Sequence, residues 1–211
     1  MNALTTGLAR YLDETRLQRI RQTKVGIAGA GGLGSNCAQL LVRSGFIDFV
    51  LVDFDVVECS NLNRQFFFQD QIGQPKVQGL ADNLRQINPD VSVRMVQARI
   101  TPESVDTIFA DCGVVIEAMD TPECKQMLAA AYSRSGKLLV AASGLAGWGD
   151  SDRIAVHRIH DSFYLVGDLS SGVECGLPPM APCVTIAAAK QADIILSWVL
   201  GDLPVGKQGG L

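Results

Sequence analysis

None of the six cysteines (Cys37, Cys59, Cys112, Cys124, Cys175, Cys183) belongs to a Cys-x-x-Cys pair. The spacing that structural zinc sites use is therefore missing, and no structural zinc is expected. Uncharged apolar runs of the roughly 20 residues needed to cross a bilayer are absent too; the longest candidate, 184–200, is broken by Lys190, Gln191 and Asp193. Residues 1–21 lack an apolar core followed by a small-residue cleavage site and instead carry Arg10, Arg16, Arg19 and Arg21. Positive charge is scarce: 18 Lys plus Arg against 22 Asp plus Glu give a formal net charge of −4. Such a chain has no basic field with which to hold nucleic acid or acidic lipid nonspecifically. The only histidines, His157 and His160, lie on and just past an expected edge strand and read as surface residues rather than acid–base groups. These absences together point to a cytoplasmic chain with free thiols, no membrane and no nucleic-acid partner.

What is present is a globular core. The chain has 211 residues, 47% hydrophobic and 19% charged, which excludes a disordered or fibrous chain and favours a single large domain. Residues 1–23 place Leu8, Leu12, Leu17 and Ile20 at near-helical spacing, an amphipathic arm that packs on something else. Residues 24–205 form one domain and 206–211 a flexible tail. Within the domain, apolar runs at 24–28, 49–53, 91–96, 114–116 and 138–142 read as strands, with helical patterns over 34–44, 75–87 and about 121–134 between them. Alternation of this kind predicts a doubly wound α/β fold with a mostly parallel, Rossmann-like sheet. Two runs, 154–159 and 163–166, lie too close together for a crossover helix and are expected as antiparallel strands added at the sheet edge. A Gly/Pro-rich loop follows from Asp168 to Pro182, and a closing helix spans about 182–200.

The sequence Gly29-Ala30-Gly31-Gly32-Leu33-Gly34 follows the first strand and opens the first crossover helix. Glycines there let backbone amides approach a phosphate, and the helix amino end adds positive potential. Asp53 ends the second strand, about twenty positions on, where a carboxylate can accept from ribose hydroxyls. These features predict an adenine nucleotide without choosing the chemistry, and an NAD(P)-dependent oxidoreductase is one owner of such a site.

The next residues separate the options. Asp55, Asn61, Asn63, Arg64 and Gln65 follow Asp53, and Lys76 opens the next helix. A nicotinamide slot has little use for Arg, Lys and two Asn together, whereas a triphosphate under attack at its α-phosphorus needs them, because charge builds on the oxygens. Arg supplies a planar fork and Lys a mobile point charge. Asp120 sits at the carboxyl edge of the fourth strand, where a carboxylate makes sense beside phosphates if it holds Mg²⁺; it can also cap the helix opened by Thr121 and Pro122.

Through Gly29 to Ser35, Asp53-Phe54-Asp55, Ser60 to Gln65, Gly73-Gln74-Pro75-Lys76 and Asp120, in this order over residues 24–145, the chain resembles the ThiF/MoeB branch of the ubiquitin-activating enzyme superfamily. Met180-Ala181-Pro182 leading into 187–193 is similar to short ThiF-like proteins of bacterial thiamine biosynthesis. The resemblance implies an adenylyltransferase, a nucleotidyltransferase that uses ATP and Mg²⁺ on the C-terminal glycine of a ubiquitin-like sulfur carrier, ThiS-like or else MoaD-like. A sulfur donor protein then receives the acyl-adenylate, and the enzyme is a homodimer. Gly29, Gly31, Gly32, Gly34, Asp53, Asp55, Asn61, Asn63, Arg64, Gln65, Lys76 and Asp120 would surround the nucleotide, with Arg64, Lys76 and Asp120 catalytic and Asp120 the magnesium ligand. An N-terminal arginine reaching ATP across the dimer has no clear match here; Arg16 and Arg19 are the candidates. For a covalent carrier intermediate the candidates are Cys175, in a loop, and Cys183, near a helix amino end that favours a thiolate. For Cys37, Cys112 and Cys124 the ordinary role of a small buried apolar residue is expected. Trp148, just after the fifth strand, is expected to enclose the carrier's glycine tail. The alternatives to an adenylyltransferase are the oxidoreductase and a noncatalytic carrier-binding scaffold.

Overall fold

The computed structural model describes residues 2–170 and 176–201. Seven strands form one sheet: β1 (Lys24–Ala28), β2 (Asp48–Val52), β3 (Ser92–Val96), β4 (Val114–Glu117), β5 (Leu138–Ala142), β6 (Ala155–His160) and β7 (Phe163–Gly167), in the spatial order β3-β2-β1-β4-β5-β7-β6. The helices are α1 (Ala3–Leu8), α2 (Glu14–Gln22), α3 (Gly32–Arg43), α4 (Lys76–Ile87), α5 (Val105–Ile108), α6 (Pro122–Tyr132) and α7 (Ala181–Leu200).

The central strands are continuous apolar runs because both faces are covered. Val25, Ile27, Phe49, Leu51, Val114, Ile116, Leu138 and Val140 point to one face, where they pack with residues of α3, α4 and α7. Ala28, Val50, Val52, Val115 and Leu139 point to the other, against Val105, Phe109, Leu128 and Tyr132 of α5, α6 and their flanks. This period-two division gives one sheet two cores. Gly26 belongs to the second face: a Cβ there would lie 2.4 Å from Cδ1 of Phe109, so the missing side chain makes room for that ring.

After β1 the chain builds β2 and β3 to one side and then returns to the other side of β1 as β4. The loops leaving β1 and β4 diverge, and the reversal opens a crevice at the carboxyl ends of the strands. The predicted strands and crossover helices are all present, with bounds that coincide or shift by at most two residues.

Two expectations need correction, and the edge pair gains a detail. The N-terminal segment is two helices, α1 and α2, because Asn2 and Asp13 each cap a separate helix by accepting from the backbone N–H of Thr5 and Arg16. Leu17 and Ile20 of α2 are buried, and α2 packs on α7 of the same chain. At the far edge the expected antiparallel pair is present as β6 against β7, and β7 itself runs parallel to β5. The hairpin therefore continues the parallel sheet by one strand before reversing. The histidines of β6 are half-buried rather than on the surface, and His157 Nε2 lies 3.0 Å from the carbonyl of Gly167. By length and composition α7 is apolar enough to cross a membrane; in this fold it lies on α3, β5, β7 and α2, with Gln191 fully buried.

Candidate active site

The crevice is a cleft of about 770 Å³. One wall is the glycine turn between β1 and α3. Gly29 has φ +98°, and a Cβ on it would lie 2.6 Å from the carbonyl oxygen of Ala118, on the loop leaving β4. Gly34 is more restricted still, since its Cβ would be 1.8 Å from the carbonyl oxygen of Gly29. The turn thus closes on its own backbone, and only glycine fits at the contact. The N-cap of α3 is Gly31, which makes no side-chain cap, so amides of the first turn remain available to a ligand.

Asp53 follows β2 and is buried. Its Oδ2 accepts from the N–H of Ala30 at 2.7 Å and its Oδ1 from the N–H of Asp55 at 2.8 Å. Burial pushes its carboxyl group above the usual carboxylate range, while the two amides and the Lys76 ammonium pull the other way. Asp53 therefore holds the glycine turn in place, and each carboxylate oxygen keeps a further lone pair for a ribose hydroxyl.

The opposite wall is the segment from β2 to α4. A short 3₁₀ turn (Cys59–Asn61) is fixed by Asn61, whose Oδ1 accepts from the N–H of Glu58 at 3.0 Å. Arg64 donates through Nη1 to the carbonyl of Ser60 at 3.0 Å and to Oδ1 of Asn63 at 2.8 Å. Asn36 of α3 donates to the carbonyls of both Gly32 and Arg64 at 2.7 Å, which couples the cradle to the arginine loop. Lys76, the first residue of α4, is 7% exposed, and its Nζ sits 2.8 Å from Oδ2 of Asp55. A buried ammonium needs an anion, and here Asp55 provides it. Gln65 is buried at the cleft, with no partner for its Oε1 among the described residues.

The third side was not foreseen. Glu117 closes the apolar strand β4 and is 1% exposed. Lys125 of α6 lies 3.1 and 3.0 Å from its two oxygens and donates to the carbonyl of Ala142 at 3.0 Å. Oε1 of Glu117 also accepts from the N–H of Met119 at 2.7 Å. Burial raises the Glu117 carboxyl group while Lys125 lowers it. The signal available in the sequence was a carboxylate ending an otherwise apolar strand, followed by a lysine in the next helix.

Of the expected nucleotide residues, Gly29, Gly31, Gly32, Asp53, Asp55, Asn61, Arg64, Gln65, Lys76 and Asp120 all line this one cleft. Gly34 and Asn63 do not. Gly34 lies beneath the cradle, and Asn63 steadies Arg64 while its Nδ2 donates to the carbonyl of Pro179 at 3.3 Å. Thr121 stands at the N-cap of α6 without a side-chain cap hydrogen bond. Cys175 lies outside the described residues. Cys183 is buried in the first turn of α7, and Cys37 and Cys112 are buried as expected, burial pushing the Cys112 thiol up to about 12. Cys124 is half-buried. Trp148 is 62% exposed and is not among the cleft-lining residues.

Asp120 is exposed at the end of β4. Among the described residues, no group of three or more His, Cys, Asp or Glu side chains converges to hold a metal. A single carboxylate fits Mg²⁺ of the kind held mainly by phosphates and water, and does not fit an all-protein metal site.

A model of the ThiF family matches residues 5–208. The chain belongs to the ThiF family. Curated relatives include the adenylyltransferase and sulfurtransferase UBA4 of Candida glabrata, 31% identical over 191 residues, 87% of this chain and 44% of that protein. The molybdopterin-synthase adenylyltransferase of Salmonella typhimurium is 28% identical over 192 residues, 88% of this chain and 76% of that one. The tRNA threonylcarbamoyladenosine dehydratase of Escherichia coli is 35% identical over 153 residues, 71% of this chain and 57% of that one. A solved structure of that dehydratase with AMP superposes with a TM-score of 0.83 at 25% identity, covering 93% of each chain. This ThiF-family chain spans less than half the length of the first curated relatives it matches. The seven-stranded, mostly parallel sheet with its antiparallel edge pair is the fold of these ThiF-type proteins.

Proposed function

We propose that this ThiF-family chain adenylates the C-terminal glycine carboxylate of a ubiquitin-like sulfur carrier, ThiS-like and serving thiamine biosynthesis, with a MoaD-like carrier as the alternative substrate of the same reaction. The observation that carries this reading is the meeting of a glycine cradle, Arg64, Lys76 and Asp120 around one cleft. The residues present suit ATP: the cradle admits only glycine at its contacts, Asp53 has lone pairs left for ribose, and two cations face the space beyond.

In the reaction, a carboxylate oxygen of the carrier attacks the α-phosphorus. The bond from that phosphorus to the bridging oxygen breaks, and pyrophosphate leaves with the electron pair, giving an acyl-adenylate. The carboxylate is already ionised, so no general base is needed, and catalysis reduces to positioning and charge stabilisation. Lys76 leaves or shares Asp55 to meet a phosphoryl oxygen, and Arg64 stabilises the charge that grows on the departing diphosphate. Asp120 would hold Mg²⁺, directly or through water, and the ion would neutralise phosphate charge. A homodimer, a sulfur donor protein that receives the activated carrier, and Cys175 as the acceptor of a covalent intermediate complete the proposal.

A second reading, activation of a group carried on tRNA, draws on the match to the dehydratase over 93% of both chains. The net charge of −4 weighs against it, since binding to a tRNA backbone rests on basic residues. The test is exchange of labelled pyrophosphate into ATP, run with ThiS-like carrier, MoaD-like carrier and tRNA in parallel. Exchange should require a carrier and fall about 100- to 1000-fold in Arg64→Ala and Asp120→Ala. Exchange with neither carrier would defeat the proposal, and exchange with tRNA alone would establish the second reading.

A further inference from the structure

The cleft has two halves. The cradle, Asp53 and the loop bearing Arg64 and Lys76 belong to the β1–β2 side, whereas the ends of β4 and β5 and the loops beyond them line the rest. On this second half, among the described residues, Lys125 is the cationic side chain facing the cleft. A nucleotide seated on the cradle leaves that half for the group that attacks it. Attack by an anion on a polyanion is opposed by charge repulsion, so the attacking group needs a cation of its own.

Lys125 is held for such a task. Its ammonium is fixed between both oxygens of Glu117 and the carbonyl of Ala142, bridging the carboxyl ends of β4 and β5, and its side chain is 30% exposed. Glu117 is almost wholly buried beneath it, its side chain 2% exposed. The pair therefore presents its positive end toward the cleft and its negative end toward the core. A buried ion pair gives little stability over apolar side chains of similar volume, so packing alone does not account for it.

We propose that Lys125 forms a carboxylate subsite: it receives the acceptor's ionised carboxyl group on the β4–β5 side of the cleft, and Glu117 is the positioning residue that aims it. This rests on the adenylation reading and adds the residue that binds the acceptor, as distinct from those that bind ATP. Binding the carboxylate exchanges one of the three protein acceptors of the ammonium for a substrate oxygen, with no covalent change.

The test is equilibrium binding to protein saturated with a non-hydrolysable ATP analogue, using a ten-residue peptide ending in Gly-Gly as the free acid and as the amide. Wild type should bind the acid about 10- to 100-fold more tightly than the amide, the range expected for a hydrogen bond to a charged group. Lys125→Met should abolish that preference while leaving the affinity for the analogue unchanged, and Lys125→Arg should restore most of it. Glu117→Gln should weaken the preference without removing it. Because Lys125→Met strands a buried carboxylate, the double variant Glu117→Gln/Lys125→Met provides a folded control with the same expected loss. Acid and amide binding alike to wild type, no binding of either peptide, or a preference that survives loss of Lys125 would each overturn the subsite while leaving nucleotide binding intact. Failure of wild type to bind the analogue would instead remove the adenylation reading, and the subsite with it.

Discussion

Replacing Gly34 by alanine tests the glycine cradle more sharply than any charge deletion. Alanine at this position adds a single carbon 1.8 Å from the carbonyl oxygen of Gly29 and 3.0 Å from Cγ2 of Ile27. The contact is backbone against backbone, so no rotamer change relieves it. Reaching an ordinary separation requires the turn and the first coil of α3 to move apart by more than about 1 Å, in the range where overpacking costs about 1–3 kcal/mol or more. Alanine recovers up to about 1 kcal/mol of helix propensity, leaving a net loss of up to about 2 kcal/mol when that gain is realised in full. For a chain of this size that lowers Tm by up to roughly 8 °C. The larger effect falls on the ligand, because moving the turn by that distance takes the amides of α3 out of hydrogen-bonding range. Calorimetric titration of a non-hydrolysable ATP analogue should show affinity reduced at least tenfold, alongside denaturation curves for both proteins. Gly79→Ala is the internal control. It lies in α4, its added Cβ makes only ordinary contacts from 3.4 Å outward, and helix propensity should stabilise it by about 0.5–1 kcal/mol. If Gly34→Ala keeps both wild-type stability and wild-type nucleotide affinity, the cradle does not work as described.

Three further outcomes follow from the same geometry. Burial raises the Glu117 carboxyl group above its ordinary value near 4.5, so the folded state holds that proton more tightly than the unfolded one. Stability from this group is present below that value and is lost as pH rises through the folded one, by up to about 1.4 kcal/mol per pH unit. Urea denaturation between pH 4 and 8 should show wild type losing stability relative to Glu117→Gln as pH rises, and a difference independent of pH would refute the assignment. Asp55→Asn removes the anion beside the buried Lys76 ammonium; with Asp55 itself 45% exposed, the expected loss is about 1–2 kcal/mol, well below that for a fully buried pair. ATP should then raise the Tm of Asp55→Asn by more than it raises that of wild type, because phosphate replaces the missing carboxylate, and an equal rise would count against that exchange. Trp148→Ala, at a largely exposed position, should change stability by less than about 0.5 kcal/mol while weakening carrier binding about tenfold, measured by titration; unchanged carrier affinity would remove Trp148 from the docking surface.

Much of this molecule was legible from residue order because its signals are local. Apolar runs fix strands, Gly29 to Gly34 fixes a turn that opens a helix, and Asp53 and Asp120 were expected at strand ends because doubly wound sheets gather functional groups there. Lys76 at the start of α4 needed only the helix pattern to be found. The N-terminal arm was misread locally, as one helix where Asn2 and Asp13 start two, while what residue order left open depended on partners distant in sequence. Leu17 and Ile20 predicted an amphipathic face, but that α7 covers it depends on residues some 180 positions away. The parallel pairing of β7 with β5 was hidden because a short hairpin constrains only β6 against β7.

The sequence by itself determined the class of fold, the phosphate-cradling turn and the identity of most groups around the cleft, since periodicity and glycine placement act through neighbouring residues. Tertiary structure alone decided how those groups are occupied. It showed Asp53 bracing the glycine turn, Asp55 holding Lys76, Asn63 steadying Arg64, and Glu117 joined to Lys125 across the ends of β4 and β5. The reason is physical: a charge or amide taken out of water must find a partner in space, and which partner it finds is set by how the sheet and helices pack rather than by residue order.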